Sequence, residues 1–411
     1  MNTTDDITYI YADNAATTPL SPHALQAMMP YLTSTFGNPS GIHRIAREAA
    51  EALSGARGDM ANLLGAAHPE EIYFTSGGSE SDNWVLRGAV RRFRDTFGHG
   101  AVPRIITSAI EHHAVLHCCQ ALESEGVEVT YLPVDGFGRV DPHELERTLS
   151  EDEDGGADGV ALVSIMMANN EVGTLEPVRE LAAIAHAHGA PFHTDAVQAV
   201  GHIPVDVQDL GVDALSLSGH KFHGPRGVGA LYLREGFSIP PLIAGGAQER
   251  GERAGTENLA GIVGMAAALR EAHETVAGDI ARISGLRDSL ALTISERVEG
   301  VHLTGAPLAH KDAASPARLP SIASFTCEGV DGELLVFLLD RMGVAAATGS
   351  ACSTGSVEPS HVLTAMGIPA ATARGALRLS IADDASERDI ELLCERVPAC
   401  IRKARLISGI S

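Results

Sequence analysis

Basic residues are scarce in this chain. Of its 411 residues only 30 are Lys or Arg, against 53 Asp or Glu, for a formal net charge of −23. A surface of that sign repels nucleic-acid phosphates, so no direct nucleic-acid contact is expected and a basic protein partner is favoured. Long apolar runs are lacking too. The stretch from Leu259 to Leu269, among the longest, contains glycine and is too short to span a bilayer, so no membrane association is expected. Met1 to Asp6 shows neither the basic region nor the apolar run of a signal peptide, which leads to a cytoplasmic expectation. The six cysteines (118, 119, 327, 352, 394 and 400) form no C-x-x-C pair and no regular framework, which argues against disulfides. There is no H-E-x-x-H. Neither His220-x-x-His223 nor His112-His113 comes with cysteine–histidine ligand spacing, so no metal is expected in the isolated protein. Internal repeats and low-complexity segments are absent.

What is present is an alternation of short apolar runs with amphipathic stretches, in a chain long enough for two domains. Segments 72–75, 104–108, 127–132, 159–167, 191–195, 213–217 and 228–233 read as strands. Helix candidates lie between several of them, for example Glu80 to Arg94 and Val178 to His188. The pattern predicts an α/β domain with a largely parallel sheet and helices on both faces. The acidic insert 151–158 reads as a solvated loop. A long helix over about 257–297 leads to a second region, holding Ser321 to Thr326, Leu334 to Asp340 and Ala376 to Ile381. With the N-terminal segment it makes a smaller α+β domain. The boundaries expected are 1–22 for the segment joining the small domain, 23–265 for the large domain and 266–411 for the small one.

Three segments carry chemistry. Phe74-Thr-Ser-Gly-Gly-Ser-Glu-Ser-Asp-Asn83 is a strand, a glycine turn and a helix start. Its amides and the Ser79 hydroxyl would suit a phosphate, yet on this segment alone a plain βα turn with a serine N-cap is the better account. His193-Thr-Asp-Ala-Val-Gln198 ends a strand at Asp195, and Lys221 follows another strand and a small-residue turn in Ser216-Leu-Ser-Gly-His-Lys-Phe-His. A carboxylate and a lysine at the carboxyl edge of one sheet suit a cofactor with a pyridinium nitrogen and an aldehyde. The third segment is Ala347-Thr-Gly-Ser-Ala-Cys-Ser-Thr-Gly-Ser356, where Cys352 sits among small residues that cannot build a core. A thiol there is either trivially exposed or deliberately mobile. Cys118-Cys119, in an apparent helix, and Cys327, in a strand-like run, read as buried and inert. The His186/His188 pair near a helix end is accounted for by the helix dipole.

The chain resembles the class V aminotransferase group of fold-type I pyridoxal-phosphate enzymes, and within it the cysteine desulfurases of the NifS and IscS kind. The resemblance runs nearly end to end. It is carried by Asp13-Asn-Ala-Ala-Thr-Thr18, Gly37-Asn-Pro-Ser-Gly-Ile-His43, TSGGSESDN, Glu111-His-His-Ala114, Ala168-Asn-Asn-Glu-Val-Gly173, HTDAVQ and SGHKFHGPRGVGALYL. GAQERGERAGTEN (246–258) and Gly349-Ser-Ala-Cys352 with Glu358-Pro-Ser360 complete it. It implies an α/β large domain with a mainly parallel seven-stranded sheet, a smaller α+β domain and pyridoxal 5'-phosphate as cofactor. By this resemblance Lys221 holds the cofactor as a Schiff base, Asp195 pairs with the pyridinium nitrogen, and His112 stacks on the ring and assists proton transfer. Asn170 and Gln198 contact the ring substituents. Gly78, Ser79, Ser218 and His220 bind the phosphate, with Thr256 reaching in from the second subunit of a homodimer. Arg378 clamps the substrate carboxylate, assisted by Asn38.

The activity so implied is removal of sulfur from L-cysteine, giving L-alanine and a persulfide on Cys352. The long small-residue stretch after Cys352 resembles the subgroup that delivers sulfur to partners such as an iron–sulfur scaffold or a tRNA-thiolation enzyme. In such a transfer Cys352 could contact an iron–sulfur cluster. Alternatives are a selenocysteine lyase or another enzyme of the same fold, against which the thiol of GSAC discriminates. Small departures from the family pattern are Ser79 where threonine is common, and Glu252 where a basic residue is frequent.

Overall fold

A computed structural model of the protein describes residues 8–150, 159–308, 317–349 and 359–409. Cys352 and the acidic insert lie outside the described residues. After a two-residue strand, β1 (Ile10–Tyr11), the chain forms helices α1 (Pro22–Thr33) and α2 (Arg44–Leu64). It then enters a seven-stranded sheet. The strands are β2 (Ile72–Thr75), β3 (Arg104–Ser108), β4 (Glu128–Leu132), β5 (Val160–Ser164), β6 (Phe192–Asp195), β7 (Ala214–Ser218) and β8 (Gly229–Leu233). They lie in the order β2-β8-β7-β6-β5-β3-β4. From β7 to β4 every pairing is parallel, while β8 runs antiparallel to both β7 and β2. The expectation of a mainly parallel seven-stranded sheet is met. Strands β6, β7 and β8 are buried at every residue, although only β8 (Gly-Ala-Leu-Tyr-Leu) is a continuous apolar run and β6 and β7 carry buried polar side chains.

Crossover helices cover the sheet: α3 (Gly78–Phe97), α4 (His113–Ser124), α5 (Pro142–Ser150), α6 (Val178–Ala187) and the short α7 (Val207–Leu210). Phe192, Leu215, Leu217 and Tyr232 sit in the main core, each at most 1% exposed. Truncating one aromatic of this kind to alanine costs about 3–5 kcal/mol, because its close-packed neighbours relax only in part. Trp84 of α3 is fully buried in a separate cluster with Val85, Leu86 and Ile105.

The 39-residue helix α8 (Leu259–Arg297) starts where Asn258 accepts the Gly261 amide. It crosses the boundary expected at residue 265. Leu259, Ile262 and Met265 pack in the main core, whereas Ile283, Leu290 and Ile294 belong to a second core. Around that second core fold β9 (Val301–Leu303), β10 (Ile322–Cys327), α9 (Gly332–Arg341) and β11 (Val344–Ala345). Short helices α10 (His361–Ala365) and α11 (Ala370–Ala373), β12 (Ala376–Ser380) and α12 (Glu387–Ile407) follow. β10 pairs antiparallel with β9 and β12. The N-terminal segment is stitched into the same region. β1 runs parallel to β11, and Ile10 and Ala12 are buried in the second core. The Ser380 amide donates to Ala12 O, the Asn14 amide to Ser380 O, and the Ala15 amide to Ser380 Oγ. Among the described residues no helix is long and apolar enough to cross a membrane.

Candidate active site

The carboxyl ends of β3, β5, β6 and β7 point to one edge of the sheet, where open α/β folds place their ligands. A cavity of 360 Å³ opens there. Ten residues singled out in the sequence line it: Gly78, Ser79, His112, Asn170, Asp195, Gln198, Ser218, His220, Lys221 and Arg378. Asn38 and Thr256 do not. Both are exposed in the single chain, with Asn38 Oδ1 accepting the Ser40 amide in a local turn. Cys352 lies outside the described residues.

At one end of the cavity α3 begins at Gly78, and a helix leaves its first-turn amides unbonded. A Cβ at Gly78 would stand 2.5 Å from Val197 Cγ2. Only glycine lets the helix start approach the turn that follows Asp195 so closely. Ser218 ends β7, and His220 Nδ1 lies 3.2 Å from Thr17 Oγ1. Burial, reinforced by Lys221, lowers the His220 pKa to about 4, so its ring is neutral near pH 7.

Lys221 Nζ donates to Ala15 O at 2.6 Å and Ala16 O at 3.0 Å, and Gln198 Nε2 donates to Ala15 O at 2.8 Å. The N-terminal segment thus forms one wall of the cavity. Asp195 is 5% exposed and accepts the Val197 amide at 2.9 Å. Burial pushes its carboxyl upward, against the pull of that amide and of Lys221. Asp82 lies nearby, fully buried, and is pushed up strongly by burial and by the Asp195 charge. His112 caps α4, its Nδ1 accepting the Ala114 amide at 3.1 Å. That bond places the neutral ring's proton on Nε2. Burial and Lys221 depress its pKa to about 4.

Arg378, on β12, is 1% exposed. It donates through Nη2 to Asp13 Oδ1 at 2.7 Å and through Nη1 to Asn170 O at 2.9 Å. Its Nε has no hydrogen-bond partner among the described residues, nor have Asp82 Oδ1 and His113 Nδ1, which belong to the same lining. Unmet buried polar atoms each cost about 1–3 kcal/mol, so three around one cavity point to a polar guest. A buried carboxylate short of cations, a lysine, a neutral imidazole, a helix start and a guanidinium with a spare donor fit an anionic pyridine aldehyde beside an amino acid.

A family model described as aminotransferase class-V matches residues 10–393. The chain belongs to the class-V aminotransferase family. A cysteine desulfurase IscS of Methanosarcina thermophila is 46% identical over 402 residues, 98% of this chain and 94% of that one. Among solved structures, a NifS-like protein superposes with a TM-score of 0.85 at 36% identity, covering 96% of this chain and all of its own. A structure of SspA in complex with cysteine does so at 0.73 and 35%, covering 90% of this chain and 98% of that chain. The class-V family and its cysteine desulfurases depend on pyridoxal phosphate.

Other expectations divide. Cys118, Cys119 and Cys327 are buried as expected, and burial pushes the Cys118 thiol up to about 11 and Cys327 up to about 12. These are inert thiols. The helix dipole is not the whole account of His186 and His188. His186 Nε2 lies 2.7 Å from Asp213 Oδ2, and His188 Nε2 lies 3.2 Å from Glu146 Oε1. Sequence reasoning gave no role to Asp13, Asp82, Glu171 or His361. Three of them stood inside motifs already singled out (DNAATT, SESDN, ANNEVG), which was the available signal. His361 directly follows Glu-Pro-Ser.

Proposed function

We propose that this protein is a cytoplasmic, pyridoxal-phosphate-dependent cysteine desulfurase. It moves the sulfur of free L-cysteine to Cys352, releases L-alanine and passes the persulfide to an acceptor protein. The observation that carries this is the cavity uniting Lys221, Asp195, His112 and the spare donor of Arg378.

Gly78, Ser79, Ser218 and His220 hold the phosphate, Lys221 the aldehyde carbon, and Asn170 and Gln198 the ring substituents. The cofactor, once bound, supplies an electron sink for charge developing at the substrate Cα. Asp195 keeps a proton on the ring nitrogen, and that cation supplies the positive charge its buried carboxylate is short of. His112 covers the ring as a neutral Nε2–H donor. Arg378 receives the substrate carboxylate through Nε while Asp13 and Asn170 fix its plane. With the cofactor bound, Lys221 Nζ would be the base for the Cα proton. The Cys352 thiolate attacks the substrate sulfur. The Cβ–S bond breaks, a S–S bond forms on Cys352, and Cβ gains a proton, so cysteine plus thiol becomes alanine plus persulfide.

Two copies form the working unit, with Thr256 of each serving the other's phosphate site. Leu25, Met29, Leu32 and Phe36 recur at helical spacing along one side of α1 and the turn after it, and Ile42 is 91% exposed. A stripe of this kind suits a partner face. The loop carrying Thr256 is fastened for the task. Arg253 grips Glu80 bidentately at 2.8 and 3.0 Å, and Arg57 grips Glu249 at 2.7 Å through both nitrogens. The sulfur acceptor is a protein, such as an iron–sulfur scaffold or a tRNA-thiolation enzyme, and the chain's acidity favours a basic face on it.

Cys352→Ser is the test. Serine is nearly isosteric and a poor nucleophile towards sulfur at neutral pH. The variant should bind cofactor and respond spectrally to cysteine, yet release almost no alanine. Brief exposure of the parent protein to cysteine should add one thiol-labile sulfur to the Cys352 peptide by mass spectrometry. Undiminished turnover in Cys352→Ser, or the sulfur on Cys327, would overturn the reading.

A further inference from the structure

Glu171 lines the catalytic cavity, is 2% exposed, and has no part in the chemistry derived above. It follows Asn170, and its backbone is held by the Asn169 side chain, whose Oδ1 accepts the Glu171 amide at 2.9 Å. Two residues far along the chain converge on its carboxylate. Ser360 Oγ donates to Glu171 Oε2 at 2.5 Å. The Gly349 backbone lies so close that a Cβ there would stand 2.7 Å from the same oxygen and 3.1 Å from Ser360 Cβ. Gly349 and Ser360 therefore touch one another across Glu171, although ten residues separate them in sequence.

Both ends are also fixed from behind. Ala347, two residues before Gly349, exchanges backbone hydrogen bonds with Arg378 at 2.7 and 3.2 Å. Ser360 caps α10, its Oγ accepting the Leu363 amide at 3.2 Å, and the next residue, His361, donates from Nε2 to Glu111 O at 3.0 Å. Cys352 lies between these ends, three residues after Gly349 and eight before Ser360. Three residues of fully extended chain span at most about 11 Å, so Gly349 is an anchor close in sequence to the thiol.

We propose that Glu171 is a positioning residue for Cys352: its carboxylate, set in the cavity wall, ties Gly349 to Ser360 and so anchors the nucleophile's segment at the cofactor site. This rests on the desulfurase reading, in which Cys352 takes the sulfur. It explains why position 349 is glycine without any unusual backbone angle, since a methyl group would collide with the carboxylate. It also gives a purpose to a fully buried acid whose charge burial disfavours and which Ser360, Arg378 and His113 offset. Fixing the chain on both sides of a reacting group is a means of orienting it for transfer.

The test uses the full-length, cofactor-loaded protein and separates cysteine binding from sulfur transfer. Binding is read from the cysteine-induced change in cofactor absorption, and transfer from mass spectrometry of the Cys352 peptide in a single turnover. In Glu171→Ala, binding should be unchanged and persulfide formation slowed by about 10–100-fold, the cost of small misplacements at reacting atoms. Glu171→Gln, whose amide oxygen still accepts the Ser360 hydroxyl, should recover most of the rate. Gly349→Ala alone should also be slow. Combined with Glu171→Ala it should cost less than the product of the two single effects, because the collision is removed. Persulfide formed at the parent's rate in Glu171→Ala overturns the proposal. So does a loss of cysteine binding that accounts for the whole slowing, which would make Glu171 a substrate-site residue. A parent protein that never carries sulfur on Cys352 overturns the desulfurase reading and this proposal together, an outcome distinct from the other two.

Discussion

Replacing Asp383 by asparagine probes a clasp between the segment after β12 and the turn that presents Lys221. Asp383 Oδ2 lies 3.3 Å from His223 Nε2, and Oδ1 lies 3.7 Å from His202 Nδ1, an ion-pair distance rather than a hydrogen bond. The other nitrogen of each ring faces a carbonyl: His202 Nε2 donates to Lys221 O at 2.8 Å, and His223 Nδ1 to Pro19 O at 3.0 Å. His223 has an acceptor on each side, which favours a proton on both its nitrogens, and the Asp383 charge acts in the same direction on His202. The pKa values follow. Asp383 raises His223 chiefly by hydrogen bonding, and it raises His202 against the opposing effect of burial. The two rings in turn hold the Asp383 carboxyl far below the usual carboxylate range, although its burial works the other way. Each raised histidine contributes stability that is complete below its unfolded pKa near 6.5 and is lost as pH rises through the raised folded value. The depressed Asp383 contributes above about 3.9 and loses this only at far lower pH. The clasp is thus strongest between about pH 4 and 6.5 and weakens as pH rises through the raised values of the two histidines.

Charge-assisted hydrogen bonds contribute about 1.5–3 kcal/mol each. The Asp383 side chain is 35% exposed and that of His223 27%, so solvent screening reduces the sum to about 1–3 kcal/mol. Asp383→Asn should therefore melt below the parent at pH 6, with a gap that narrows as pH rises and the imidazolium charge is lost. Paired thermal scans over that rise in pH are the assay. A gap of constant size, or none at pH 6, would refute the assignment of charge to the two rings.

Three further outcomes follow from the cavity. Lys221→Ala should purify without the visible absorption of lysine-bound cofactor, and retention of the full band would remove the assignment. Asp195→Asn should keep part of the cofactor yet turn over slowly, by about 10²–10³-fold if the loss matches that of other preorganised electrostatic partners, as alanine release would show. Thr256→Ala should weaken cofactor retention, and light scattering should find a dimer. A fully active monomer would sink the shared-site reading.

The sheet was legible because its strands are apolar, short and separated by helices of a different period. All seven expected strands coincide with observed ones to within three residues at either end. Of the ten cavity residues, Ser79, Asp195 and Lys221 were legible from their places at a helix start and at strand ends, and the other seven came from the resemblance. Contacts between segments distant in sequence were not. Nothing local in ANNEVG tells that Glu171 meets Ser360, and nothing in SGHKFHG tells that His223 meets Asp383. Asn38 and Thr256 came from resemblance alone, and in a single chain neither reaches the cavity.

The stitching of the N-terminal segment has a consequence for how the protein is made. Ala15 and Ala16 receive Lys221, and Ala15 is held by Ser380, which is synthesised 365 residues later. Folding units generally form as the chain emerges, from the amino end onward. Here the sheet can assemble while later residues are still being added, but the wall beside Lys221 must wait for β11 and β12. The site in its final geometry therefore waits for the emergence of Ser380, and a ribosome stalled before codon 380 would carry a sheet with an open, unfinished site.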